Sequence, residues 1–69
     1  MRTSARNQLP GTVTAVTIGA VMAEVVVDVN GQQIVAAITK DSAERLGLEA
    51  GATVTVIVKA TDVMIGVEG

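Results

Sequence analysis

The sequence predicts an all-β fold: a small five-stranded barrel with one short helix, assembled as a homo-oligomer. Three observations lead there. Hydrophobic residues make up 49% of the chain, yet Phe, Tyr and Trp are absent. Most of the apolar residues are β-branched and recur with period two, as strands require. The chain has 69 residues, so it is a single domain spanning 1–69, and a domain this small buries only ~60% of the surface its unfolded chain exposes. Without aromatic anchors or any cysteine for a disulfide staple, the surplus apolar surface needs other subunits to cover it. A membrane is the other destination, but no run reaches the ~20 apolar residues of a spanning helix. The opening residues lack the apolar segment of a signal peptide. No membrane partner and a cytoplasmic location are expected, in keeping with the missing cysteines.

The elements follow in order. Thr12–Ile18 is rich in β-branched residues between Gly11 and Gly19, which reads as a strand. In Val21–Val29, residues Val21, Ala23, Val25, Val27 and Val29 share one face and Met22, Glu24, Val26 and Asp28 the other. Met22 and Val26 on that outer face point to cover from another subunit. Asn30-Gly31 is the strongest short hairpin signal, because a type I′ turn needs positive φ at both central residues. Gln33–Thr39 is the return strand. A helix is expected at about 41–46, with Asp41 and Glu44 spaced as a capping box or Thr39 as the cap. Gly47 suits the left-handed residue after the last turn, and Leu46 and Leu48 would plug the core. After the Ala50-Gly51 turn come a strand over Ala52–Ala60 and a last short strand over Asp62–Val67. Five strands with a helix between the third and fourth suit a Greek-key barrel of the OB type.

The missing residue types exclude much chemistry. With no His and no Cys, the usual general base and thiol nucleophile are gone, and no enzymatic activity is expected. Glu24 and Asp28 lie on one strand face, where a solvated role is the ordinary one. Lys59 would need deep desolvation to act as a nucleophile. The seven acidic residues are scattered, without the convergent oxygens a hard cation wants, so no metal site is expected. The net charge of −2 and the absence of aromatics oppose a nucleic-acid partner, which is held by Lys and Arg and by stacking rings.

What the chain does carry is donors. Its opening, Met1-Arg2-Thr3-Ser4-Ala5-Arg6-Asn7-Gln8, crowds hydroxyl, amide and guanidinium groups together. Ser4, Arg6 and Asn7 form one cluster, Lys59 and Thr61 a second, and Thr39 and Lys40 a third, all at ends of predicted strands. Donors without acceptors suit an anion that carries no proton. Molybdate and tungstate are fully deprotonated dianions at neutral pH, whereas phosphate is partly protonated and wants an acceptor. A charge-assisted hydrogen bond contributes ~1.5–3 kcal/mol, and a micromolar site needs only ~8 kcal/mol in total.

The stretch Thr3-Ser4-Ala5-Arg6-Asn7-Gln8-Leu9-Pro10-Gly11-Thr12-Val13 strongly resembles the opening of the molbindin, or Mop, family of small oxyanion-binding proteins. The resemblance continues through "GAVMAEVVVDV", "AAITKDSAERLGLEAG" and "VIVKATDVMIGV". It implies a single OB-like, TOBE-type domain in a hexamer arranged as a trimer of dimers, with molybdate or tungstate held at subunit interfaces and no organic cofactor. Carried onto this sequence, Ser4 offers its hydroxyl, Ala5 its backbone N–H, and Arg6 charge or loop order. Lys59 supplies charge from the neighbouring subunit or its own, and Ala60 and Thr61 supply backbone N–H groups and a hydroxyl. Thr39 matches a further hydroxyl position, and Thr3, Asn7 and Lys40 stand beside these. Met22 replaces an Asn common in relatives, Thr61 a common Ser, and Pro10 a charged residue. The role implied is molybdenum storage or homeostasis. Two other readings stand beside it: a small β-fold DNA-binding regulator of the swapped-hairpin type, which "LGLEAGATVTVIV" resembles, and a purely structural oligomerisation module.

Overall fold

The computed structural model describes all 69 residues. Strand β1 spans Asn7–Ile18, β2 Met22–Val29 and β3 Gln32–Thr39; helix α1 covers Lys40–Arg45, β4 covers Thr53–Val58, and a single 3₁₀ turn, η1, covers Ala60–Asp62. The four strands form one antiparallel sheet in the order β3-β2-β1-β4. Three strands joined in sequence and a fourth returning beside the first make a Greek key. Residues 63–69 form no strand, so the strand expected over 62–67 is not present within this chain. The segment has the right residues but no edge of its own chain beside it, and a strand needs a partner for its N–H and C=O groups.

The first strand is five residues longer than the sequence pattern shows, because it runs through Pro10 and Gly11. Val13 donates its N–H to the carbonyl of Ala52 at 2.9 Å and accepts from the N–H of Gly51 at 2.8 Å. Backbone groups alternate sides along a strand, so Pro10 turns its missing donor away from β4. On that other side the β1–β2 pairing has already ended at Thr12↔Asp28, and no ladder bond is lost. Gly11 sits where β1 leaves β2 to run along β4. A Cβ there would lie 2.6 Å from the Asp28 carbonyl oxygen and 2.7 Å from Val27 Cγ1. A bulge at Thr14 shifts the register between Val13 and Ala15 and bends the strand; the Thr14 hydroxyl donates to the Val26 carbonyl at 3.3 Å.

Between β2 and β3 the turn is as expected, with Asn30 at φ 50° and Gly31 at φ 85°. The helix cap is Thr39: its Oγ1 accepts the Ser42 N–H at 3.0 Å. Asp41 is inside the first turn, so the capping box built on Asp41 and Glu44 does not form. The C-terminus is a Schellman motif, with the Leu48 N–H on the Ala43 carbonyl, the Gly47 N–H on the Glu44 carbonyl, and Gly47 at φ 65°. Leu48 packs against the core, but Leu46, expected to plug it, is 64% exposed. The six-residue helix turns only Ala43 fully inward.

The core is thin. Val13, Ala23, Val25, Val27 and Ala43 are the five buried residues, with Val16, Ile38, Val54 and Val56 packed partly against them. The exposed surface is 5430 Å², against ~4,000 Å² for a compact monomer of this mass. The radius of gyration is 12.9 Å, against ~11 Å for a compact domain of this length. Much of the excess is apolar: Val21, Met22, Val35 and Ile57 stand exposed on or beside the sheet, and Met64, Ile65 and Val67 beyond it. No helix is long and apolar enough to cross a membrane.

Candidate functional site

The register of β1 against β4 assembles the candidate site. The ladder runs from Thr12↔Thr53 to Asn7↔Val58. One step beyond that ladder stand Arg6 and Lys59, where the chain leaves the strand for the turn η1. Hydrogen-bonded pairing stops at Asn7, and the two segments instead wall an open groove. Ser4, Ala5 and Arg6 line one side; Ile57, Lys59, Ala60, Thr61 and Asp62 line the other, around a volume of about 610 Å³. Residues 55 positions apart in sequence therefore meet because one long strand carries the N-terminal donors to the end of the last strand.

Local bonds hold both walls. On the first, Gln8 Nε2 donates to the Ala5 carbonyl at 2.8 Å and Asn7 Nδ2 to the Val58 carbonyl at 3.1 Å. The Asn7 amide thus ties the N-terminal segment to the end of β4 and does not line the groove. The Thr3 hydroxyl accepts the Ala5 N–H at 3.2 Å, so this donor is occupied within the chain. On the second wall the bonds of η1 run from the Asp62 N–H to Lys59 and from the Val63 N–H to Ala60. They leave the N–H groups of Ala60 and Thr61 outside the turn's own bonding, as the first donors of any helical turn are.

Electrostatically the groove is a positive spot on an acidic chain. Arg6 and Lys59 both line it, and neither makes an ion pair; the ion pair the chain contains joins Arg45 to Asp41 at 3.9 Å on the exposed face of α1. Two cations without an ion-pair partner share the groove, and an anion entering it relieves their mutual repulsion. Asp62, which lines the same groove, brings a negative charge that opposes anion entry. The donor clusters do not identify Asp62, although its neighbour Thr61 places it in the same turn. Ile57 is legible from alternation, since it shares the outer face of β4 with Thr55 and precedes Lys59 by two residues.

Thr39 and Lys40 lie elsewhere. They line a separate groove with Ala20, Val21, Asp41 and Glu44. The Thr39 hydroxyl is taken up by capping, accepting from the Ser42 N–H and donating to Ser42 Oγ at 2.8 Å. A single chain does not bring this third cluster to the other two. No three acidic or other metal-ligating side chains come together anywhere in the molecule.

Comparison with known proteins agrees with this architecture. Residues 3–65 match the TOBE domain family. The chain is 50% identical to molybdenum-pterin-binding protein 2 of Clostridium pasteurianum, over 94% of this chain and 97% of that protein. Among solved structures it superposes on a molybdate binding protein from Sporomusa ovata with a TM-score of 0.90 at 46% identity, covering 94% of this chain and 97% of that one. It superposes equally on MopII from Clostridium pasteurianum, with a TM-score of 0.90 at 48% identity, covering 96% and 100%. At this identity over almost the whole length of both partners, the chain belongs to the TOBE-domain family, within its branch of small molybdenum-pterin-binding (Mop) proteins.

Proposed function

We propose that this protein binds molybdate, and tungstate with it, in grooves completed by neighbouring copies, and that it stores or buffers the anion inside the cell without chemical change. The observation that carries the reading is that Arg6 and Lys59 line one groove together with Ser4 and Thr61, with no ion pair to either cation. The names of the relatives select the anion from among the dianions such a donor set would take. A second copy belongs in the picture for a geometric reason. A groove of about 610 Å³ lies in the ~300–1,000 Å³ range that accepts drug-sized molecules, and a four-oxygen anion fills little of it. Donors from one chain surround such an anion on one side only. A further wall closes the site, and we place it on another subunit of a hexamer built as three dimers. Binding and assembly are then linked: an anion held between subunits stabilises the assembly by ~2.7 kcal/mol at a concentration one hundred times its Kd.

The test is calorimetric titration of molybdate into the purified protein with excess sulfate and phosphate present. Saturable heat that survives both competitors is expected. Ser4→Ala combined with Arg6→Ala removes one hydroxyl and one cation, at ~1.5–3 kcal/mol for each charge-assisted bond. Binding weakens at least tenfold while the β-sheet circular dichroism persists. Unchanged affinity in that variant refutes the site; absence of heat, with no molybdenum retained on dialysis, refutes the function.

A further inference from the structure

The donor groove contains one group that the binding of an anion does not call for. Asp62 lines it with Arg6 and Lys59, so a single chain offers the ligand two cations and one carboxylate. The backbone puts Asp62 there. Its N–H donates to the Lys59 carbonyl at 2.9 Å and closes η1, and in a 3₁₀ turn residues three apart lie on the same side. The carboxylate is not taken up by the two cations, because the ion pair of this chain lies elsewhere, between Arg45 and Asp41. Asp62 is exposed and outside the core, so replacing it changes the charge of the groove and little of the fold.

Charge acts on ligands differently from shape or hydrogen bonding. Coulomb energy is a product of two charges, so a fixed carboxylate opposes a dianion twice as strongly as a monoanion of the same size and shape. At a separation of ~10 Å in water, removing one negative charge strengthens the binding of a monoanion about two-fold and of a dianion about four-fold. Salt at ~0.1 M screens charges over that distance, so the difference is largest at low ionic strength.

We propose that Asp62 sets the charge selectivity of the groove: it holds back dianions more than monoanions, and so keeps a bound dianion exchangeable. The inference rests on the reading of this groove as the oxyanion site. Arg6 and Lys59 alone would hold a dianion more tightly and release it more slowly. With Asp62 beside them, the same donors still orient the anion while the excess attraction falls. Release is what separates a buffer from a trap.

The experiment compares molybdate with perrhenate, tetrahedral oxyanions of similar size that carry two charges and one. Each is titrated at low ionic strength into the parent protein and into Asp62→Asn, which keeps the size of the side chain and removes its charge. Molybdate is expected to tighten about four-fold and perrhenate about two-fold, both gains shrinking as salt is added. Equal gains for the two anions, no gain, or weaker molybdate binding overturns the proposal. A second measurement needs no oxyanion. Lys59 is acylated in competition with Lys40, which lines the other groove, using a neutral succinimidyl ester and its sulfonated, anionic counterpart. In Asp62→Asn the preference of Lys59 for the anionic ester rises about two-fold while that of Lys40 stays fixed; an unchanged preference at Lys59 overturns the proposal. Failure of both oxyanions to bind the parent refutes the oxyanion reading alone, because the labelling then decides the role of Asp62 by itself.

Discussion

Replacing Gly11 with alanine tests the geometry that delivers the N-terminal donors to β4. The added Cβ falls 2.6 Å from the Asp28 carbonyl oxygen, 2.7 Å from Val27 Cγ1 and 3.0 Å from Val29 Cγ2. Val27 and Val29 have methyls with some freedom, but the Asp28 carbonyl belongs to a backbone paired with Thr12 on one side and Gln33 on the other. The strands must move apart where they are most tightly held. Overpacking of this kind costs ~1–3 kcal/mol. Loss of glycine's freedom in the unfolded chain returns ~0.4–1 kcal/mol, leaving a net destabilisation of about 1–2 kcal/mol. For a domain of this size each kcal/mol lowers Tm by about 4–8 °C, so a fall of about 4–16 °C is expected. The assay is thermal unfolding by far-ultraviolet circular dichroism at one fixed protomer concentration, because the Tm of an assembling protein depends on concentration. Gly66→Ala is the control: no atom lies within 4 Å of its added Cβ, and its stability stays within the few tenths of a kcal/mol typical of surface changes. A Gly11→Ala melt that overlays the parent's refutes the close approach of β1 to β2 at this point.

Two further substitutions probe the helix cap and the donor groove. Thr39→Ala removes the acceptor for the Ser42 N–H and destabilises by ~0.5–2 kcal/mol, read in the same melt; an unchanged Tm denies the cap. Asp62→Asn takes a carboxylate out of the groove that holds Arg6 and Lys59. Molybdate binding tightens a few-fold by titration calorimetry, and weaker binding assigns Asp62 to the anion's support instead of its repulsion.

Much of this protein is written locally. The Asn30-Gly31 turn, the inward face of Ala23, Val25, Val27 and Val29, and the left-handed Gly47 follow from backbone sterics and two-residue alternation, which act over a few residues. The donor clusters are legible for a similar reason: Ser4, Arg6, Lys59 and Thr61 are chemically conspicuous in a chain of valine, alanine and threonine. Local rules misplace what long-range pairing decides. Pro10 and Gly11 lie before the strand expected over Thr12–Ile18, yet β1 runs through both, because β4 pairs with the side of the strand on which proline needs no donor. Asp41 and Glu44 have the spacing of a cap, but β3 delivers Thr39 to the helix start with its hydroxyl free, so capping begins there.

What the sequence by itself determined is composition and alternation: a β fold, a core too small for its apolar content, and donors suited to an oxyanion. Only the tertiary structure decided which donors meet. The β1–β4 register brings Ser4–Arg6 against Lys59–Asp62, while Thr39 and Lys40 go to another groove at the start of α1. It also decided that Val63–Val67, rich in β-branched residues, forms no strand in its own sheet. Periodicity is a property of one segment, whereas a strand exists only when a second edge satisfies its backbone, and where that edge lies is settled by how the whole chain folds.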